Sequence, residues 1–191
     1  ELFSKESAGS VSAFHTRPER TTQVDVGLNF RRRNLSASVS VFANRVDDFI
    51  LIQTGVTKPS GMMGTRSATI ARNIDSQSFG GEATVSWKFA DGWTFDGSVS
   101  TVRGENRTDR LPLAQQPPLE GRLGVSYATT RWSVGSLVRM AARQNRFALN
   151  QGNIAGQDIG PSAGFATLSL NGAWKPTPRL QVSIGVDNVL D

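Results

Sequence analysis

The chain has 191 residues, no cysteine, a single histidine (His15) and a net charge of +5. Without cysteine there is no disulfide scaffold, zinc ribbon or thiol nucleophile, and a lone histidine leaves no partner for a histidine metal triad. Composition therefore counts against most hydrolases and metalloenzymes, and no apolar run approaches the roughly 18 residues of a membrane-spanning helix.

Apolar and polar residues alternate along most of the chain, a period of two that predicts β-strands with one apolar and one polar face. In chain order, strands are predicted at residues 24–30, 35–43, 83–89, 93–99, 119–127, 132–140, 166–174 and 180–186. The second pattern continues toward Ile52 and the third begins near Thr69. Because about 9–11 residues cross a bilayer, these two strands should extend beyond the membrane.

The connections alternate in length. Short turns at 31–34, 90–92, 129–130 and 176–178 alternate with long polar segments at 54–70, 104–118 and 143–162. Outer-membrane barrels have this asymmetry, with short turns at one rim and long external loops at the other. We therefore expect one partial barrel over 1–191, with an external lead-in at 1–20 and strands and loops over 21–191.

The aromatic residues distinguish a membrane barrel from a soluble sandwich or lipocalin-like barrel. All four tryptophans and the only tyrosine lie on apolar faces near short turns, whereas a soluble core would spread them along the strands. Such a belt is typical of a membrane–water boundary. The opposite faces are rich in Ser, Thr and Gly, as expected of a wet lumen, and carry the charged residues Asp25, Lys88, Asp96, Glu120, Arg122 and Arg139.

Eight strands can close as a small barrel, but the polar lead-in and the ending at Asp191 favour an arc of a wider barrel of about 22 strands. The predicted fold class is accordingly all-β, an antiparallel up-and-down transmembrane β-barrel segment. Two alternatives stay open at this point. One is a complete eight-stranded outer-membrane barrel of structural or adhesion type, and the other is a soluble β-protein that binds an acidic or apolar ligand.

Five segments, in the expected order along nearly the whole chain, resemble motifs of TonB-dependent outer-membrane receptors. They are 17–27 (RPERTTQVDVG), 44–50 (NRVDDFI), 80–82 (GGE), 111–118 (LPLAQQPP) and 186–191 (VDNVLD). Ala114 stands where the family usually has proline, and Val189 and Leu190 replace the usual Leu-Phe.

Within that family, three stretches resemble the TonB-dependent copper receptors: 61–65 (GMMGT), 104–109 (GENRTD) and 149–158 (LNQGNIAGQD). The resemblance implies a bacterial outer-membrane receptor that transports copper and is powered by the TonB complex. TonB would act through a plug domain that is absent from this chain.

Met62 and Met63 are the candidate metal ligands, because thioethers are soft ligands suited to Cu(I); adjacent methionines also commonly pack a loop base. His15 is a weaker candidate. We expect no catalytic residue and no bound cofactor, with copper as the transported substrate.

Arg31, Arg32 and Arg33 lie in a tight turn without an aromatic-lined groove, so they indicate an anionic membrane surface rather than nucleic acid. Charge and topology also suggest that the loop arginines contact lipopolysaccharide phosphates. These are Arg66, Arg72, Arg107, Arg110, Arg143 and Arg146.

Overall fold

The structure is a computed structural model that describes residues 16–60, 64–153 and 156–190. These ranges form eight long and three short strands. In chain order they are β1 (Arg20–Arg32), β2 (Leu35–Ser60), β3 (Gly64–Ala90), β4 (Trp93–Asn106), β5 (Leu111–Pro112), β6 (Glu120–Ala128), β7 (Trp132–Ala141), β8 (Gln151–Asn153), β9 (Gly156–Gln157), β10 (Phe165–Thr177) and β11 (Leu180–Val186). Within these ranges, no helix is long and apolar enough to cross a membrane.

The long strands form one antiparallel up-and-down sheet in the order β11-β10-β7-β6-β4-β3-β2-β1. Each long strand pairs with the next long strand along the chain, as the eight alternating segments predict. The three short strands lie in loops that were expected to be irregular, and two of them pair with each other.

The segment at 54–70, expected to be a long loop, is largely a β-hairpin. β2 continues to Ser60, β3 begins at Gly64, and the two strands stay paired to their ends. Register shifts after Val46 and Gln53 accompany a positive φ at Asp48 (62°) and at Gly55 (69°). Such bulges bend a strand without ending it, so the turn-forming residues interrupt the alternation while the ladder continues.

The sheet is an open arc. Among the described residues, β1 pairs only with β2, and β11 pairs only with β10. A complete small barrel would need β1 and β11 to pair with each other, so the closed eight-stranded alternative is wrong for this structure, and the predicted barrel segment is confirmed.

The buried residues lie at the loop end of the sheet. Leu51, Ile74, Ser76 and Asn106 are at most 2% exposed, and all four belong to the upper parts of β2, β3 and β4. Between the two rims the sheet is a single layer whose apolar side chains face outward, with Val26 62% and Val99 45% exposed. A soluble β-protein would bury these residues, so the soluble alternative is also wrong.

Candidate functional site

The outer face carries a continuous band of aromatic rings near the short turns, which we call the aromatic ribbon. It runs through Trp87, Phe89, Trp93, Tyr127 and Trp132, with ring centroids 5.6, 6.0, 4.9 and 5.1 Å apart in that order. The rings come from four strands that pair side by side, since short turns return the chain at the same level. The predicted belt is confirmed, and it is the arrangement expected at a membrane–water boundary.

The inner face carries small polar residues and opposed charges. Ser100 on β4 pairs with Glu82 on β3 and with Glu120 on β6, so the two carboxylates lie in one row across the sheet. The next row places Arg122 beside Arg139, and Arg139 donates to Glu120 at 3.1 Å. A face of this composition suits a water-filled lumen.

The long connection between β7 and β10 crosses the lumen side of the sheet, and we call residues 143–162 the strap. Within it, β8 pairs with β2, Ile52 opposite Gly152 and Gln53 opposite Gln151. Three strands separate β7 from β2 in the sheet, so the strap spans all of them to reach the edge of β2 that β1 leaves free above Asp47. It covers an edge that would otherwise present unpaired backbone groups.

Asp158 fastens the strap to the neighbouring loop. Its Oδ2 accepts a hydrogen bond from the Ala148 amide at 2.8 Å, and its Oδ1 accepts one from the Gln115 amide at 3.1 Å. Thr54 on β2 donates its hydroxyl to Gln157 Oε1 at 2.7 Å. Bonds to a charged acceptor are roughly twice as strong as neutral ones, so Asp158 holds the two external loops together, while Gln157 joins the strap to β2.

A second polar cluster orders the turn that follows β4. Arg72 on β3 donates to both carboxylate oxygens of Asp109, and Asn106 donates to Asp109 Oδ2 at 2.6 Å. The bond from Arg72 is the main cause that holds the pKa of Asp109 below its ordinary value of 3.8, while partial burial opposes it. Asp109 is therefore ionised at neutral pH, and its ion pair with Arg72 links the turn to the external part of β3.

A cavity of about 260 Å³ lies beneath the strap. Its walls come from the lumen side of β2 and β3 and from two loops, and include Asn44, Ser76, Gln116 and Gly152. Among the described residues, no group donates to the buried amide oxygens Gln116 Oε1 and Gln151 Oε1. Buried polar atoms normally find a partner, and of these two residues only Gln116 lines the cavity, so we expect water or a polar ligand to bond with its oxygen there.

The candidate metal ligands lie outside the described residues. In the sequence, Met62 and Met63 fall between the paired residues Ser60 and Gly64, and His15 precedes Thr16, the first described residue. Within the ranges that the structure describes, no group of three or more His, Cys, Asp or Glu side chains is arranged to hold a metal ion.

Sequence reasoning missed the strap and the Asp158 and Asp109 clusters. The strap sequence is rich in Gly and Asn, which indicates turns but not the strand they contact. Two of the clusters' residues, Asp109 and Asp158, lie in stretches that were singled out for their resemblance to copper receptors, without any structural role assigned to them.

Comparison with protein families and curated proteins identifies relatives along almost the whole chain. The family model for the TonB dependent receptor-like β-barrel matches residues 6–189. The Pesticin receptor of Yersinia enterocolitica is 25% identical over 186 residues, which is 91% of this chain and 24% of that receptor. The Pesticin receptor of Yersinia pestis is 24% identical over the same lengths.

Among solved structures, one described as "Copper transporter OprC" superposes with a TM-score of 0.85 and 44% identity, covering 96% of this chain and 27% of that one. The ferric enterobactin receptor PfeA of Pseudomonas aeruginosa superposes with a TM-score of 0.70 at 17% identity, covering 91% and 26%; at that identity the likeness shows the fold alone. The chain thus spans about a quarter of the length of the relatives that it matches.

Proposed function

This chain belongs to the TonB-dependent receptor β-barrel family, and on that premise we propose that it forms part of the barrel wall and external mouth of a copper-uptake receptor. Members of the family lie in the outer membrane of Gram-negative bacteria, and so does this chain. Its apolar outer face contacts lipid, and its polar inner face lines an aqueous lumen.

The likeness to the copper transporter is the observation that carries the copper assignment. It is 44% identical over 96% of the chain, well above the 25% or less shared with the Pesticin receptors and the 17% shared with the ferric enterobactin receptor. An identity of 44% over 96% of the chain lies well above the level at which a likeness shows the fold alone.

The mouth determines what reaches the lumen. The strap crosses the external end of the sheet, and its hydrogen bonds to β2 and to the loop that follows β4 hold it against the wall. We propose that copper passes beside the strap and this loop, and that Met62 and Met63, which follow β2 in the sequence, capture Cu(I) through their thioether sulfurs. His15 remains a weaker candidate ligand. No catalytic residue is proposed.

We further propose that the TonB complex supplies the energy through a plug domain that lies outside these 191 residues. The row of Glu82 and Glu120 and the row of Arg122 and Arg139 face the lumen, where such a domain would sit. This proposal rests on family membership rather than on a contact within the chain.

The six external arginines differ in their surroundings, and Arg66, which is half-buried, is not among those that we propose to contact lipopolysaccharide. Arg72 is bonded to Asp109, and Arg146 Nη2 donates to the Gly104 carbonyl at 3.3 Å, so both turn toward protein. Arg107, Arg110 and Arg143 are exposed, and we propose that these three contact lipopolysaccharide phosphates. Glutamine variants of the three should bind lipopolysaccharide with a shallower salt dependence, and an unchanged slope would reject the contact.

Uptake of labelled copper by cells that carry or lack the intact receptor tests the main proposal. The double variant Met62→Leu/Met63→Leu keeps side-chain volume but removes both sulfurs, and it should lower uptake at limiting copper. Met140→Leu is the matched control, since Met140 lies on the outer face and is 38% exposed. Equal copper uptake with and without the receptor contradicts the copper assignment, and a receptor-dependent uptake of ferric siderophore in its place would indicate an iron receptor.

A further inference from the structure

The rim of short turns is strongly basic. Seven Lys and Arg residues lie in or beside the four turns, against one acid, Asp91; they are Arg31, Arg32, Arg33, Lys88, Arg131, Lys175 and Arg179. Within the described ranges none of the seven makes an ion pair, whereas Arg17, Arg45 and Arg72 near the external rim each pair with an aspartate. The positive charge at the turn rim is therefore not neutralised by the described residues, and it can attract an anionic ligand.

Two of these turns enclose a groove of about 930 Å³ at the turn rim of the sheet. Arg32, Arg33 and Lys88 line it together with Phe30, Trp87 and Asp91. Phe30 and Trp87 belong to the apolar face that contacts lipid, so the groove joins the lipid boundary on one side and the aqueous rim on the other.

The groove is built by contacts between the two turns. The Asn34 carbonyl accepts the Lys88 amide at 2.8 Å, and Asn34 Nδ2 donates to the Lys88 carbonyl at 3.1 Å. This reciprocal pair fixes the spacing between the arginine turn and the strand that carries Trp87. The side chains that line the groove therefore start from fixed positions.

We propose that this groove binds the headgroup of an anionic phospholipid in the membrane leaflet on the turn side. Two arginines beside each other match a phosphate, because a guanidinium donates two parallel hydrogen bonds to its oxygens. The three cations exceed the single carboxylate of Asp91, so the groove favours a negatively charged ligand. The aromatic rings pack against the glycerol and the first acyl carbons, as rings at a bilayer boundary do.

A membrane lipid is the occupant that the geometry favours over free phosphate. Phe30 and Trp87 line the groove and belong to the apolar face that contacts lipid, whereas free phosphate would gain nothing from these rings. Basic residues at an anionic membrane surface each strengthen binding about fivefold. The inference depends on the membrane placement of the chain and not on the transport of copper, so either can fail without the other.

The test is native mass spectrometry of the intact receptor, released from detergent and titrated with phosphatidylglycerol or phosphatidylcholine. The variant Arg32→Gln/Arg33→Gln should bind phosphatidylglycerol roughly 25-fold more weakly, from two losses of about fivefold each. Arg131→Gln/Arg179→Gln is the matched control, since it removes the same charge from two other turns, and its binding should stay near that of the unmodified receptor.

Gel mobility before and after heating first establishes that each variant is folded. If the double variant fails this check, Lys88→Gln alone replaces it, with an expected loss of about fivefold. An equal loss in both double variants, no loss in either, or equal binding of phosphatidylcholine would overturn the site. Displacement of the lipid by inorganic phosphate at a comparable concentration would overturn the choice of a lipid.

Discussion

An arginine placed on each face of one strand tests which side of the sheet contacts lipid. Val99 on β4 faces outward and lies four residues above Phe95, which pairs with Trp87 of the aromatic ribbon. At about 3.3 Å per residue Val99 is about 13 Å from the ribbon along the strand, or about 10 Å along the membrane normal for a tilt of roughly 40°. The apolar band of such barrels is about 25 Å tall, so Val99 lies near its middle.

Val99→Arg should therefore destabilise the folded receptor by about 2–4 kcal/mol, the cost of a cation at the bilayer midplane. Ser100→Arg is the control at the same depth, because the neighbouring residue faces the lumen, between Glu82 and Glu120. Its effect should stay within about 1 kcal/mol, the size of a cross-strand pair of opposite charges.

The measurement is guanidinium unfolding of the reconstituted receptor in phospholipid vesicles, followed by gel mobility. The difference between the two variants decides the matter, since both add the same side chain to adjacent positions. If Ser100→Arg costs as much as Val99→Arg, or more, the assignment of lipid and lumen faces is refuted.

Three further predictions concern the ribbon and the two loop clusters. Trp93→Leu should cost about 1–3 kcal/mol in the same unfolding assay, because two ring pairs of about 0.5–1.5 kcal/mol each are lost. Because its contact with Arg72 lowers the pKa of Asp109, that contact should stabilise the turn fully above pH 3.8 and be lost as the pH falls further. The protection of the turn amides against hydrogen exchange, relative to the intrinsic rate at each pH, should then fall on acidification, and Asp109→Asn should abolish this dependence. Asp158→Asn should weaken the bond to the Ala148 amide and increase proteolysis of the strap, and unchanged cleavage would remove Asp158 from its fastening role.

The alternation predicted the long strands, their order and their two faces. This was possible because each residue of a strand points to the side opposite its neighbours. The apolar Val39 therefore indicates the lipid-facing side, and the polar Ser40 indicates the lumen-facing side. The positions of Trp87, Trp93 and Trp132 were sufficient to predict the ribbon, since short turns bring adjacent strands back to one level. The second strand was predicted as far as Ile52, and the part of the β2–β3 hairpin beyond it was missed because Gly55 interrupts the pattern as a bulge does.

The sequence by itself determined which solvent each face meets, because a period of two separates an apolar from a polar surface before any strand has a partner. Only the tertiary structure decided what covers the external end of the sheet. The strap pairs with β2 across three intervening strands, and no local sequence pattern predicts a contact between segments so far apart. The same holds for Arg72 with Asp109, and for the two short turns that Asn34 and Lys88 join at the opposite rim. In each case the partners are set by strand register, which brings together residues that are far apart along the chain.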